Sequence, residues 1–212
     1  MSRATFRPVP WLLAALTCLG CFKAPAQQPA PRIYILSAPR KVEAGAETLD
    51  ATVAVGRLKA AAVLRTSRML RQTGRQIRYT SNHLWGAPPA LLLTDFIASC
   101  MEDSGRFRAV WQAGLMESPD FTLSGFIDRF QAVAGDKGWE AVLEATIIVH
   151  RQELPPRHQG IIFQKHYLVR MPMADSSAPA LAGAMTEAAL AFGRRLTTDV
   201  AAAVGTASQG GK

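Results

Sequence analysis

Residues 121–151 read FTLSGFIDRFQAVAGDKGWEAVLEATIIVHR, and the alternation within them decides the fold. From Ala141 onward, Ala141, Leu143, Ala145, Ile147 and Val149 fall on one side of an extended chain, with Glu140, Glu144, Thr146 and His150 on the other. A period of two over that length describes a strand with one face on a core and one toward water, as antiparallel sheets have. Residues 121–134 have the same strand character. Gly135-Asp136-Lys137-Gly138 between the two is turn chemistry, so the stretch is a hairpin of long strands.

Working outward, residues 160–171 form a partner strand across the turn Leu154-Pro155-Pro156-Arg157-His158-Gln159. Phe107 to Trp111 is a short strand. Upstream, 33–36 and 51–58 also read as strands, with 40–50 as loop between them. Residues 62–71 and 75–80 flank Gln72-Thr73-Gly74 as a polar hairpin. Two stretches have helical spacing instead. After Pro88 and Pro89, residues Leu92, Phe96 and Cys100, with Leu93, Ile97 and Met101, recur until Gly105. Leu181, Met185, Ala188, Phe192, Leu196 and Val200 mark a longer helix, with Asp175, Ser176 or Ser177 as its cap and Pro179 in its first turn. The tail, 205–212, reads as disordered. Long strands and two helical stripes that need covering predict an α+β domain: an antiparallel β-sheet with two amphipathic helices packed on one face. No repeat of 20 to 50 residues is visible.

The chain has 212 residues, 49% hydrophobic and 19% charged, enough for one core. Its front end has other business. Arg3 and Arg7 precede an apolar run from Val9 to Gly20 and then small residues, the build of a secretory signal over 1–20. Two cuts are open. Leu19-Gly20-Cys21 resembles the end of a bacterial lipobox, which puts a lipid on Cys21 ahead of cleavage, although Cys18 stands where Leu is usual. Ala24-Pro25-Ala26 is a small-x-small site that would release a soluble protein beginning at Gln27. Phe22 lacks the aspartate that retains enteric lipoproteins at the inner membrane, so an acylated chain is expected at the outer membrane. Residues 21–32 then form a lipidated N-terminus and a Pro/Ala/Gln tether, and 33–204 the folded domain. No later run reaches the ~18 to 20 apolar residues of a span. Cys100 is the one cysteine left in the folded part, which excludes an internal disulfide.

The formal net charge is +8, which favours anionic partners, and export argues against nucleic acid. Between Ala51 and Thr94 there is no acidic residue, while Arg57, Lys59, Arg65, Arg68, Arg71, Arg75 and Arg78 crowd together. Arginine grips phosphate and carboxylate through a rigid fork, so this region is a candidate contact for lipid head groups, lipopolysaccharide or an acidic partner. The plain alternative is a solvated edge kept charged against strand pairing.

Catalytic chemistry is expected to be absent. None of the sixteen glycines has the spacing of a nucleophile elbow, phosphate loop or dinucleotide fingerprint. Leu123-Ser124-Gly125 lies inside a strand and reads as a serine beside a glycine that permits close approach. His150 and His166 are equidistant from His158, so a hairpin centred there would oppose them, with Glu153 as a third metal ligand; two histidines paired across a hairpin need no metal. Glu140, Glu144 and Asp128 read as a solvated strand face, and His83 as a loop or cap residue. No enzyme activity, metal or cofactor is expected.

The order of elements resembles a known family. Ile33-Tyr34-Ile35-Leu36 after the lipobox and tether is similar to the "YYxL" of the ABC-type transport auxiliary lipoprotein family, the PqiC/YmbA-like group. Ile77-Arg78-Tyr79 followed by Trp85 resembles the segment leading into that family's first helix. Residues 126–131, with Phe130, and 141–145 resemble its central strands. The likeness runs over roughly residues 32–203 and departs at Ile33 and at Gln131, where an acid is usual. It implies a non-catalytic, periplasm-facing outer-membrane lipoprotein that serves an ABC lipid-transport system by docking to an MCE-type periplasmic protein. The alternative function is a soluble periplasmic binding or scaffold domain for an anionic glycan or lipid. Tyr34 is a matched position and joins Arg65, Arg68, Arg71, Arg75 and Arg78 as candidate partner or lipid contacts. Trp85 and Phe130, also matched, read as core.

Overall fold

A computed structural model describes residues 30–37, 47–114, 118–152 and 160–209. All but Ala30 belong to the compact unit Pro31–Lys212. Among the described residues the strands and α-helices run β1 (Arg32–Tyr34), β2 (Leu49–Val55), β3 (Lys59–Ala60), β4 (Arg68–Thr73), β5 (Gln76–Trp85), α1 (Pro89–Asp103), β6 (Phe107–Gln112), β7 (Phe121–Gly135), β8 (Gly138–Arg151), β9 (Gly160–Pro172) and α2 (Ala178–Gln209).

The hairpin read from residues 121–151 is the spine of the sheet. β7 pairs with β8 in antiparallel register from Phe121↔Arg151 to Gly135↔Gly138, and β9 continues on the far side of β8. The other edge of β7 carries three short strands in succession, β2 at Phe121 to Leu123, β3 at Phe126 and Ile127, and β4 at Ala132 to Ala134, all parallel to it. β6 then pairs with β2 and β5 with β4, and β1 closes the edge beside β5. The α+β expectation holds, and the sheet is mixed rather than wholly antiparallel. Alternation reports which face a residue takes, and it is blind to the direction of the neighbouring strand.

One face is the core. Ala141, Leu143, Ala145, Ile147 and Val149 are fully buried beneath the helical stripe Leu181, Met185, Ala188, Phe192, Leu196 and Val200. Each such large apolar side chain contributes about 1.5 to 3 kcal/mol by leaving water. Tyr167 of β9 meets Phe192 edge to face at 5.2 Å, and Trp85 meets Phe130 likewise at 5.2 Å. Trp85 and Phe130 are 1% exposed, so both matched aromatics are core residues. On α1, Thr94 Oγ1 donates to the Ala90 carbonyl at 2.7 Å and accepts from Leu58 N–H at 3.0 Å, tying the helix to the link between β2 and β3.

The two helices touch where Gly193 lies against Cys100; a Cβ at 193 would come within 2.9 Å of the thiol sulfur. Burial first, then the Asp103 charge, push that thiol up to about 11, so it stays protonated and unreactive at neutral pH. Of the candidate caps for α2, Ser177 is the one used: its Oγ accepts from Ala180 N–H at 3.2 Å. Gly183, further along, has open space where a methyl group would stand, with no atom within 4 Å. Gly183→Ala is therefore expected to raise stability by about 0.5 to 1 kcal/mol, read from the urea midpoint.

Several boundaries differ from expectation. The tail is not disordered at 205–209, because Val204 is fully buried, Gly205 lies by Leu49, and Arg151 Nη1 donates to the Ala207 carbonyl at 3.0 Å. Residues 210–212 lie outside the described residues, as do the signal segment, Cys21, most of the tether, Glu153 and the whole turn 154–159. Strand β1 begins at Arg32, the last residue assigned to the tether, and ends at Tyr34. The polar hairpin runs 68–73 and 76–85, with a 3-10 turn at Ala62–Leu64 in place of the first arm's start. His83 therefore stands in a strand.

Candidate functional site

Between β4 and β5 the register jumps: Arg68 opposes Leu84, and two residues later Leu70 opposes Tyr79. The surplus residues of β5 bulge outward, as extra residues in one strand must. The bulge is held by Thr80, whose hydroxyl donates to the His83 carbonyl at 2.5 Å. Beside it opens a cavity of about 730 Å³, lined among others by Arg71, Thr73, Arg78, Asn82, His83 and Trp139.

Its electrostatics are one-sided. Arg71 and Arg78 are direct cross-strand partners, a like-charge placement that disfavours the hairpin unless an anion intervenes. Among the described residues neither has a salt-bridge partner, and no carboxylate lines the cavity. Arg71 is positioned by two contacts: its Nη2 donates to the Ser176 carbonyl, and its guanidinium lies 5.0 Å from the centre of the Trp139 ring. Asp175, the acid that feels Arg71, is held below the usual carboxylate range chiefly by hydrogen bonds from Ser177, with Arg71 a lesser cause. Behind the lining residue His83 stands Tyr34: its Oη and His83 Nδ1 are 2.9 Å apart, with the rings stacked at 5.7 Å.

The expected arginine cluster thus separates. Arg71 and Arg78 meet in the cavity, and Tyr34 braces its wall. Arg68 instead lies 4.8 Å over the Tyr79 ring and donates to the Thr80 carbonyl at 3.4 Å. Arg65 and Arg75 are exposed, in the loop before β4 and in the hairpin turn. Sequence reasoning missed His83, Asn82 and Trp139. The signal for the first two was the length of the strand, which runs to Trp85 through a bulge that period-two reading cuts short.

The sequence pattern of the ABC-type transport auxiliary lipoprotein component family matches residues 34–197. The chain belongs to this family. Its fold is similar to that of protein XCC0632 from Xanthomonas campestris, of the DUF330 family, at a TM-score of 0.75 and 18% identity over 84% of this chain and 98% of that one. A second structure, of an uncharacterized protein, matches at TM-score 0.63 and 12% identity over 81% and 99%. The hypothetical protein CT253 from Chlamydia trachomatis matches at 0.50 and 11% over 74% and 98%. No curated protein matches the chain. As an ABC transport auxiliary lipoprotein the protein is associated with the cell envelope and has a transporter as partner. Among the described residues no helix is long and apolar enough to cross a membrane.

Other acid and histidine groups of this family member are spent on structure. His166 lies opposite Thr146, and His150 opposite Ile161, so the two histidines are not cross-strand partners as a hairpin centred on His158 would make them. The residue across from His150 is Ile161, five positions short of His166. Glu144 pairs with Arg129 and lies 3.0 Å from His166 Nε2, and Glu140 pairs with Arg170 at 3.1 Å. No cluster of three metal-ligating side chains occurs among the described residues. A smaller cavity of about 270 Å³ by Arg194 and Arg195 already contains its own carboxylate: Asp199 Oδ2 accepts from Lys165 Nζ and from Tyr167 Oη, each at 2.7 Å.

Proposed function

We propose that the protein is a non-catalytic accessory of an ABC/MCE-type lipid-transport system. It is acylated at Cys21, held at the outer membrane facing the periplasm by residues 21–32, and docks to an MCE-type periplasmic protein. The observation that carries this reading is the family match over residues 34–197, downstream of Leu19-Gly20-Cys21, which resembles the end of a lipobox. The sheet face turned away from the helices supports docking. Tyr167 reaches Asp199 of α2, so its neighbour Leu168 points the other way, as does Phe126 opposite Thr146. Both are partly open to solvent, at 40% and 39%, and would lend apolar contact area to a docked protein. An acyl anchor on one residue gives marginal membrane attachment with one chain and stable attachment with two or more.

The test is metabolic labelling with palmitate and affinity purification from the native envelope. Label incorporated by the parent and absent from Cys21→Ala, together with recovery of an MCE-type protein, is the expected result. Label that persists in Cys21→Ala removes the anchor assignment, and recovery without any MCE-type protein removes the partner.

A further inference from the structure

We propose that the cavity between the β4–β5 hairpin and Trp139 binds one phosphate group, held between Arg71 and Arg78. The phosphate is that of an anionic phospholipid head group or a free phosphate ion. This deepens the transport reading, on which only the choice of a lipid source rests; the chemistry of the site stands without it.

Two arginines in direct cross-strand register repel each other, and among the described residues no carboxylate lines their cavity; Asp175, the acid that feels Arg71, is held chiefly by Ser177, in contrast to the smaller cavity where Asp199 answers Lys165. A dianionic or monoanionic phosphate between them would turn a repulsive pair into two charge-assisted interactions. The donors for it are unspent. Arg71 commits Nη2 to Ser176 and keeps its other N–H groups, while the side chain of Arg78 makes no hydrogen bond or ion pair among the described residues. When the Tyr34 hydroxyl donates to His83 Nδ1, a neutral imidazole keeps its proton on Nε2, as a further donor. Thr73, Ser81 and Asn82 add neutral polar groups to the lining. The contact of Arg71 with both Trp139 and Ser176 fixes one side of the clamp in advance, which lowers the ordering cost of binding. Volume also fits: about 730 Å³ is within the ~300 to 1,000 Å³ of small-molecule sites and has room for a glycerophosphate head group.

The experiment is calorimetric titration of the purified full chain with inorganic phosphate and, separately, with dihexanoyl phosphatidic acid and dihexanoyl phosphatidylglycerol below their micelle concentrations. Saturable binding at one site, with phosphate displacing the lipid, is expected. Arg78→Gln should weaken it about ten- to a hundredfold with a melting temperature no lower than the parent's, since a like-charge pair is relieved, and Arg108→Gln, on β6, should not alter it. A lipid that binds more tightly than phosphate identifies a head-group site; phosphate binding as well or better identifies the free ion; both uphold the assignment. Absence of binding by all three probes at millimolar concentration overturns it, as does unaltered binding in a folded Arg78→Gln protein. Because Arg71→Gln also loses the Ser176 contact, the single Arg78 variant decides. Such a failure leaves acylation at Cys21 and the MCE partner untouched, since those are read in the envelope and not in the titration.

Discussion

Gly125→Ala is expected to destabilise the protein by about 2 to 3 kcal/mol, lowering its melting temperature by roughly 5 to 10 °C. Gly125 lies mid-strand in β7, opposite Ile147 of β8. A Cβ there would stand 2.6 Å from the Thr146 carbonyl oxygen, 2.7 Å from Ile147 Cδ1 and 3.0 Å from Leu58 Cδ2. The first of these neighbours is backbone in the central hairpin and has no rotamer to escape into. The two longest strands must part, or the link carrying Leu58 must lift. Alanine lowers the entropy of the unfolded chain, a gain of up to about 1 kcal/mol, and overpacking outweighs it. Urea denaturation against Gly183→Ala separates the effects, since both replace glycine by alanine and only position 125 is crowded. A Gly125→Ala protein as stable as its parent would falsify the close approach of β7 and β8.

Tyr167→Phe is expected to cost about 2 kcal/mol at neutral pH and to flatten the loss of stability at high pH. Tyr167 is 1% exposed, and its hydroxyl donates to Asp199 Oδ2 at 2.7 Å, a bond to a charged acceptor whose removal strands part of that carboxylate. Burial, then the hydrogen bond to Asp199 and its charge, push the phenol well above its usual value. A group whose pKa is raised by folding contributes stability that is fully present below its unfolded value near 10 and lost as pH rises beyond it. The gap between parent and variant should therefore narrow by about 1 kcal/mol between pH 10 and 11. Asp199 has the opposite sign. Burial raises its pKa, but the hydrogen bonds from Lys165 and Tyr167 outweigh this and leave it lowered. Its contribution is present above about pH 4 and is lost as pH falls through the folded value. Equal alkaline slopes in parent and variant would show that Tyr167 does not titrate differently on folding.

The sequence made faces legible and neighbours illegible. Ala141 to Val149 announced their inward side, and each of those positions is buried. Nothing in the alternation said that β2, β3 and β4 lie end to end along β7 and parallel to it. A sign was present in Ala51-Thr52-Val53-Ala54-Val55, a short run buried on both faces, which is the habit of a strand between parallel neighbours; read as partial alternation, it hid its direction. The candidate site was half legible for a related reason. The absence of acids around Arg71 and Arg78 is a property of the sequence, but their opposition depends on which turn joins β4 to β5. His83 and Asn82 reach the cavity through a bulge, and bulges leave no period. Trp139 arrives from the far end of the long hairpin, at a sequence distance no local pattern spans. The histidine pairing failed on the same ground: the register, with Thr146 opposite His166 and Ile161 opposite His150, is displaced by several residues from one symmetric about His158, and alternation carries no record of that offset.

Whether this domain is tethered to a membrane is read most directly from the intact mass of the mature protein isolated from its own envelope. An N-terminus at Cys21 carrying covalent acyl chains is expected, which places the Pro/Ala/Gln segment as a tether and the domain beginning at β1 at the membrane. An unmodified chain beginning at Gln27 would contradict it and leave a soluble periplasmic binding domain in its place.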